Sequence, residues 1–330
     1  MTDAIKKIVS CLLLVAFTCF GCKNIEGRKT LKLAHGLDNS HPVHVAMAQM
    51  ATDLDSLSNG NLKIDIYPNQ QLGSERECLE LLQLGALDLT KVSVGVMENF
   101  APKMKVLGLP YLFRNKAHTF SVLDGPIGTN LLKEGEKYLL KGLCYYDAGS
   151  RSFYTKDRPV RTPEDLEGLK IRVMESATAI DMVKRFGGSP TPISSGELYT
   201  ALQQGVVDGA ENNPPVFYFS RQYEVCKYFS LDEHTVIPDV LVAGTHLWDK
   251  LSTQEKEWLR AAVKISVVNQ RRLWAASEKE ALEAVQKAGV EVIYLEKSKF
   301  SDKVEIMYEN YRESDKEIYA LIEKIRSSQS

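Results

Sequence analysis

The chain has 330 residues, of which 44% are hydrophobic and 25% are charged. This is ordinary globular composition, and the length is sufficient for two domains or one large domain. The formal net charge of −2 provides no basic surface of the kind that nucleic acid requires, so we expect the partner to be a small solute or another protein.

The N-terminal sequence predicts export. Two lysines precede an apolar run at positions 8–20, which ends at a Gly-Cys pair. A basic start, a short apolar core and a small residue at its end are typical of a secretory signal peptide, and the run is shorter than the roughly 20 residues of a membrane-spanning helix. The Gly-Cys pair resembles a lipoprotein cleavage site, so we assign residues 1–22 to a signal peptide, Cys22 to acylation and residues 23–30 to a polar spacer. Plain cleavage into a periplasm is the alternative.

The next part of the chain alternates between strand and helix patterns. Apolar and polar residues alternate at 31–35, 62–66 and 88–94, which predicts three strands. Between them, helical spacing is present at 41–59 and again after Ser74–Glu77, which has the sequence of a capping box. The order β-α-β-α-β predicts a mostly parallel sheet covered by helices.

The middle of the chain repeats this order. Positions 142–146 and 168–173 have strand patterns, and the segment 161–166 is a capped turn that leads into the second of them. A further helix is expected to start at 194–197, where Ser-Ser-Gly-Glu precedes an apolar face. The chain therefore predicts a second unit built like the first.

The C-terminal third contains a long helical pattern. Ser252–Glu255 is a capping sequence, and no glycine or proline follows until Gly289. A helix of roughly 36 residues, at about 1.5 Å each, would extend on the order of 54 Å, which exceeds the width of one small domain. We therefore predict a rod that bridges two lobes, with two helices broken near Asn269 as the alternative.

Cysteines, histidines and motifs give no sign of catalytic chemistry. Cys78, Cys144 and Cys226 are widely spaced, so we expect buried free thiols, with one disulfide of unknown pairing as the alternative. His41 and His44 lack a third ligand at recognisable spacing, so we expect an exposed first helical turn there. The chain has no phosphate-loop, dinucleotide-binding, nucleophile-elbow or zinc-protease motif, so we expect no catalytic residue, metal or cofactor.

Four segments in order carry a family resemblance. They have the sequences YPNQQLGSERE at 67–77, LPYLF at 109–113, TPEDLEGLKIRV at 162–173 and ELYTALQQGVVDGAEN at 197–212. Together they are similar to the DctP-like solute receptors of tripartite ATP-independent periplasmic (TRAP) transporters. The resemblance extends from Leu31 to about Glu255.

The resemblance implies an α/β fold of the type II periplasmic-binding-protein class, with two lobes and a long helix that spans both. We place the first lobe at 31–148 plus about 238–277 and the second at 149–237 plus about 278–330. It also implies a receptor in the periplasm or cell envelope that is no enzyme, and partners that are a small organic acid and the membrane permease subunits of a TRAP transporter. A sensory receptor for such an acid is an alternative, and an enzyme on the same fold is a further one.

The resemblance also implies ligand-binding residues. Arg172, in the G-L-K-I-R-V strand, is expected to grip the ligand carboxylate, because guanidinium is a planar fork that matches a carboxylate. Arg151 matches a second arginine of the cleft, and Asn212 matches an asparagine suited to a carboxylate or hydroxyl. Glu75 and Ser93 lie in or near loops at strand ends, where open α/β sheets bind ligands.

The expected ligand is a hydroxylated sugar acid, such as a uronate or aldonate. Arg172 and Arg151 account for one carboxylate, and we expect no further basic residue in the cleft to hold a second. Glu75 would repel a second carboxylate but can accept hydrogen bonds from hydroxyls, as can Ser93 and Asn212. A C4-dicarboxylate or a 2-oxo acid is the alternative.

Overall fold

A computed structural model describes residues 28–329 of the protein. The predicted signal peptide and the predicted acylation site at Cys22 lie outside the described residues. Among the helices of residues 28–329, none is both long enough and apolar enough to span a bilayer.

The strands form two separate sheets. The strands are β1 (Lys29–Ala34), β2 (Leu62–Tyr67), β3 (Leu89–Ser93), β4 (Leu140–Tyr146), β5 (Arg151–Thr155), β6 (Lys170–Val173), β7 (Ser189–Pro192), β8 (Gly209–Asn212), β9 (Tyr228–Thr235), β10 (Asp239–Gly244) and β11 (Glu291–Tyr294). One sheet has the order β2-β1-β3-β10-β4, and the other has the order β11-β9-β5-β8-β6-β7. We call the unit around the first sheet lobe I and the unit around the second lobe II.

Both sheets are mixed. In lobe I, β1 pairs in parallel with β2 and β3, as the β-α-β-α-β pattern predicts, but β10 enters antiparallel between β3 and β4. In lobe II, β6 pairs in parallel with β7 and β8, whereas β5 is antiparallel to β8 and β9. The expectation of parallel pairing is therefore correct for β1, β2 and β3, the strands from which it was made, whereas each complete sheet also contains antiparallel pairs. The reason is that β5 and β10 follow direct crossings from the other lobe rather than a helical connection.

Helices cover both sheets. The α-helices are α1 (Pro42–Leu57), α2 (Glu75–Leu84), α3 (Val94–Met97), α4 (Lys116–Asp124), α5 (Pro126–Glu134), α6 (Ala177–Arg185), α7 (Leu198–Gln203), α8 (Pro214–Phe219), α9 (Thr245–Lys250), α10 (Thr253–Lys287), α11 (Ser298–Ser314) and α12 (Lys316–Ser327). Short 3₁₀ helices lie at Pro102–Gly108, Glu136–Tyr138, Pro163–Leu166 and Gln222–Glu224.

Helix α10 is one unbroken rod of 35 residues, which confirms the predicted long helix and excludes the break near Asn269. Ser252 and Glu255 form the capping box at its start. The helix packs against α1 and β4 in lobe I and against α8 and β11 in lobe II. Together with the crossings from β4 to β5 and from β9 to β10, it connects the lobes along one side and leaves a cleft between their sheets. The residue limits that we gave for the lobes stay a prediction.

The cysteine prediction is confirmed within the described residues, but the histidine prediction is wrong. Cys78, Cys144 and Cys226 are buried free thiols, and burial raises the pKa of Cys78 to about 11. His41, in contrast, is 2% exposed. It caps helix α1 from inside the contact between α1 and α10, so the start of this helix is buried at His41, although Val45 in the same turn is exposed.

Candidate functional site

A cavity lies between the two sheets, and its empty space, including the part that is open solvent, is about 780 Å³. It sits where β3 and β10 of lobe I face β5, β6 and β8 of lobe II. All five residues that the sequence singled out as ligand-binding line it: Glu75, Ser93, Arg151, Arg172 and Asn212. The tertiary structure therefore brings together side chains that are distant in the sequence. The two furthest apart, Glu75 and Asn212, are separated by 137 positions.

Arg172 presents a guanidinium group without an anionic partner. It lies in β6 and is 2% exposed. Its Nε donates to the carbonyl oxygen of Ile193 at 2.7 Å, and no group among residues 28–329 accepts a hydrogen bond from its two terminal nitrogens. Burial lowers the pKa of Arg172, although the Glu211 and Glu75 carboxylates act in the opposite direction. A buried cation in this state is stabilised by an anion that enters the cavity.

Arg151 has its charge compensated within the protein. Its Nε donates to Oε2 of Glu211 at 2.5 Å, and its Nη2 donates to Oε1 of the same carboxylate at 2.9 Å. Its Nη1 donates to Oδ1 of Asn212 at 2.7 Å. Burial acts to lower the pKa of Arg151, but the attraction of Glu211 outweighs it and the net shift is upward. Arg151 therefore lines the cavity as one member of an ion pair.

A chain of alternating charges continues behind Arg151. Nε2 of His234 lies 3.4 Å from Glu211, and its Nδ1 lies 2.8 Å from Asp232. Although burial opposes it, these two carboxylates raise the pKa of His234 to about 9. Burial likewise acts to raise the pKa of Glu211, but Arg151 and His234 lower it to about 2. Asp232, His234, Glu211 and Arg151 thus form a buried series of charges −, +, −, +.

Glu211 and His234 were not predicted from the sequence, although Glu211 lies within the motif at 197–212. A glutamate inside a strand whose other residues are all buried was the available signal. For His234 the signal was weaker, because its partner Asp232 is two positions away along a strand and its partner Glu211 is on another strand.

The lobe I wall of the cavity carries a triad of charges. Nζ of Lys91 lies 3.0 Å from Oε1 of Glu75 and 3.2 Å from Oδ2 of Asp239. The other carboxylate oxygen of Glu75 accepts from the backbone amide of Ser93 at 3.1 Å. Burial raises the pKa of Asp239 to about 6. With two carboxylates and one ammonium, this triad has a net charge of −1 above that pH.

The triad corrects one expectation. No further basic residue was expected in the cavity, but Lys91 and Arg76 also line it. A lysine in the buried strand Leu89–Ser93 was a signal for a charged site. The Glu75 side chain takes no part in capping helix α2, because Ser74 and Glu77 form the capping box of that helix. Its side chain is therefore available to Lys91, Ser93 and the cavity.

Asn212 and Ser93 differ in what they can offer a ligand. Oδ1 of Asn212 accepts from Arg151 and from the backbone amide of Asn213, at 2.7 and 2.9 Å. Its amide nitrogen has no partner among residues 28–329, so it remains a donor. The Ser93 hydroxyl accepts from the Gly95 amide at 3.3 Å and caps α3, which leaves its own proton for an acceptor.

The arrangement of charges and hydrogen-bonding groups is suited to a polar anion. Within residues 28–329, no group of three or more His, Cys, Asp and Glu side chains could hold a metal ion. The lobe II wall offers one uncompensated positive charge and a donor amide. The lobe I wall offers carboxylate oxygens, an ammonium and a hydroxyl.

Comparison with known proteins agrees with this geometry. Residues 33–317 match the model of the family "Bacterial extracellular solute-binding protein, family 7", also called DctP. The chain is 37% identical to the uncharacterized protein YiiZ of Salmonella typhimurium over 92% of this chain and 93% of the relative. These matches confirm the family resemblance of the sequence.

Solved structures are similar over nearly the whole chain. A TRAP periplasmic solute-binding protein of Xanthobacter autotrophicus, with bound β-D-galacturonate, is 39% identical with a TM-score of 0.87 and covers 91% of this chain and 100% of its own. Another, from Pseudomonas putida, with bound D-glucuronate, is 34% identical with a TM-score of 0.88 and covers 92% of this chain and 98% of its own.

Proposed function

The chain belongs to family 7 of the bacterial extracellular solute-binding proteins, and we propose that it captures a hydroxylated sugar acid, such as a hexuronate, between its two lobes. It is a TRAP-type solute receptor and not an enzyme. The family and the similar structures are likewise solute-binding proteins. The identity of the ligand and the residues that bind it are the proposal.

The observation that carries the proposal is the opposite charge of Arg172 and of the lobe I triad that faces it; Arg76 and Glu175 also line the cavity, but both are exposed. Arg172 is buried without a partner anion among the described residues. Facing it, Glu75, Lys91 and Asp239 have a net charge of −1. A ligand that satisfies both walls has one carboxylate at Arg172 and uncharged hydrogen-bonding groups at its other end.

A sugar acid meets this requirement and a dicarboxylate does not. The Arg172 fork can hold a carboxylate through two parallel hydrogen bonds, and the amide nitrogen of Asn212 can donate to the ligand as well. Hydroxyls at the other end can donate to Glu75 and Asp239 and accept from Lys91. A second carboxylate there would face two carboxylates and one ammonium. Galacturonate and glucuronate, which are bound in similar structures, have the required pattern.

A binding screen tests the proposed ligand. Purified protein is measured by calorimetry and thermal shift against uronates, aldonates, C4-dicarboxylates and 2-oxo acids. We expect the largest rise in melting temperature with a uronate or aldonate, because a ligand that binds only the folded state stabilises it. Tight binding of a dicarboxylate with no response to any sugar acid would show the proposal to be wrong.

We also propose that the protein is exported, carries lipid on Cys22 and delivers its ligand to TRAP permease subunits. The Gly-Cys pair after an apolar run supports this anchor. Stable anchoring requires more than one acyl chain, as in bacterial lipoproteins. Mass spectrometry of the mature protein is expected to find modified Cys22 at the N-terminus. An unmodified N-terminus beyond Cys22 would instead indicate a free periplasmic protein.

A further inference from the structure

A buried hydrogen-bond donor lines the cavity beside the charged walls. His41 precedes α1 and is 2% exposed. Its ring centroid lies 5.8 Å from that of Trp274 on the long helix and 5.7 Å from that of Phe219 at the end of α8 in lobe II. Two aromatic rings from different elements therefore hold the imidazole in place at the cavity edge.

The contacts of the ring determine where its proton lies. Nδ1 accepts from the backbone amide of Val43 at 3.3 Å, as part of the helix cap. Burial lowers the pKa of His41 well below its ordinary value, with the charge of Lys91 acting in the same direction, so the ring is neutral. A neutral imidazole that accepts at Nδ1 carries its proton on Nε2. His41 is thus a donor at Nε2.

This donor has no acceptor in the protein. Within residues 28–329, Nε2 of His41 is buried and makes no hydrogen bond. A buried donor without a partner is unfavourable by about 1–3 kcal/mol and is rare in native structures. Because His41 lines the cavity, an oxygen of the bound ligand can supply the missing acceptor.

We propose that the Nε2–H group of His41 donates a hydrogen bond to a hydroxyl or ring oxygen of the ligand and so helps to determine which acid the cavity accepts. The inference rests on the proposed function and adds to it a residue on the α1 side of the cavity. A ligand with oxygens along its length satisfies His41 and Arg172 together. A short apolar-chain acid leaves the donor unpaired.

The test separates donation from helix capping. His41→Phe removes both the donor and the cap while keeping a ring between Trp274 and Phe219. His41→Asn keeps a good capping residue, but its short side chain does not place a donor at the position of Nε2. We expect His41→Phe and His41→Asn to weaken galacturonate or glucuronate binding about tenfold each, while His41→Asn restores the ligand-free melting temperature.

The control is His44→Phe, one turn further along α1, whose Nδ1 contacts His35 outside the cavity. It is expected to keep wild-type affinity. A purely structural role for His41 predicts that affinity follows the melting temperature, so wild-type Kd in His41→Asn would overturn the inference. If the wild type binds no sugar acid in the screen, the proposed function is wrong. The same variants are then measured with the acid that the screen identifies. If the His41 variants bind that acid as tightly as the wild type does, the proposed role of His41 is wrong as well.

Discussion

Arg172 and Arg151 line the same cavity from the same sheet, yet their charges have different uses. Arg151 makes hydrogen bonds to both oxygens of Glu211, and this carboxylate is in turn held by His234. Arg172 donates only to a backbone carbonyl within the described residues. The difference shows that position in a cleft does not by itself make an arginine available to a ligand. The charge must also lack an internal partner, and by that criterion we propose Arg172 as the recognition residue and Arg151 as a support of the wall.

The largest expected effect on stability comes from replacing the paired arginine, Arg151. Arg151→Met leaves the Glu211 carboxylate buried beside His234 without its main partner. Removing one member of a buried ion pair typically costs about 3–5 kcal/mol of stability. Chemical denaturation at pH 7 is the measurement. The double variant Arg151→Met with Glu211→Leu is the control and is expected to regain most of the loss, because no uncompensated carboxylate remains. A stable single variant would show that Arg151 is not structural.

The second effect concerns the unpaired arginine, and it acts on binding instead of folding. Arg172→Ala is expected to weaken sugar acid binding by about 2–5 kcal/mol, which is at least tenfold in Kd. Arg172→Lys is expected to recover only part, because an ammonium lacks the planar fork. The ligand-free protein should be no less stable, since a buried uncompensated cation has been removed. Calorimetry that finds wild-type affinity in both variants would contradict the assignment.

Because of the buried histidine behind Arg151, we expect the stability of the folded protein to fall at alkaline pH. The folded-state pKa of His234 is raised to about 9 from its ordinary value of 6.5. A raised pKa means that the folded state binds the proton more tightly, so this stability is fully present below pH 6.5 and is lost as the pH rises through 9. The loss is on the order of 3 kcal/mol. Melting temperatures between pH 6.5 and 9.5 should fall, and the His234→Gln variant should show a flatter profile over that window.

The smallest expected effect comes from changing the charge of the lobe I triad. Glu75→Gln converts its net charge from −1 to zero while keeping a hydrogen-bonding side chain of the same length. We expect uronate affinity to fall by about 1 kcal/mol and dicarboxylate affinity to rise several-fold, because less repulsion opposes a second carboxylate. Calorimetry with one acid of each kind measures both. Arg76→Gln, at the exposed rim, is the matched control with an opposite change in charge. A fall in affinity for both acids would contradict the proposed role of the wall.

Local patterns were sufficient for the elements that frame the site. The capping boxes at Ser74 and Ser252 depend on residues three apart, and both are present in the structure. The uninterrupted helix α10 follows from the absence of glycine and proline between its ends. The motif around Arg172 indicated the family, and through it the two-lobed fold. These features depend on neighbours in the sequence or on a resemblance that a single chain can show.

The tertiary structure alone decided how the charges in the cavity are shared. Lys91 meets Glu75 from α2 and Asp239 from β10, and Arg151 meets Glu211 from β8, so their compensation depends on residues that are distant along the chain. The same holds for His41, which the sequence placed at the surface and which packing against Trp274 buries. Electrostatic interaction falls with distance in space and not in sequence. A sequence therefore shows which residues can carry charge, whereas the fold decides which of those charges remain for a ligand.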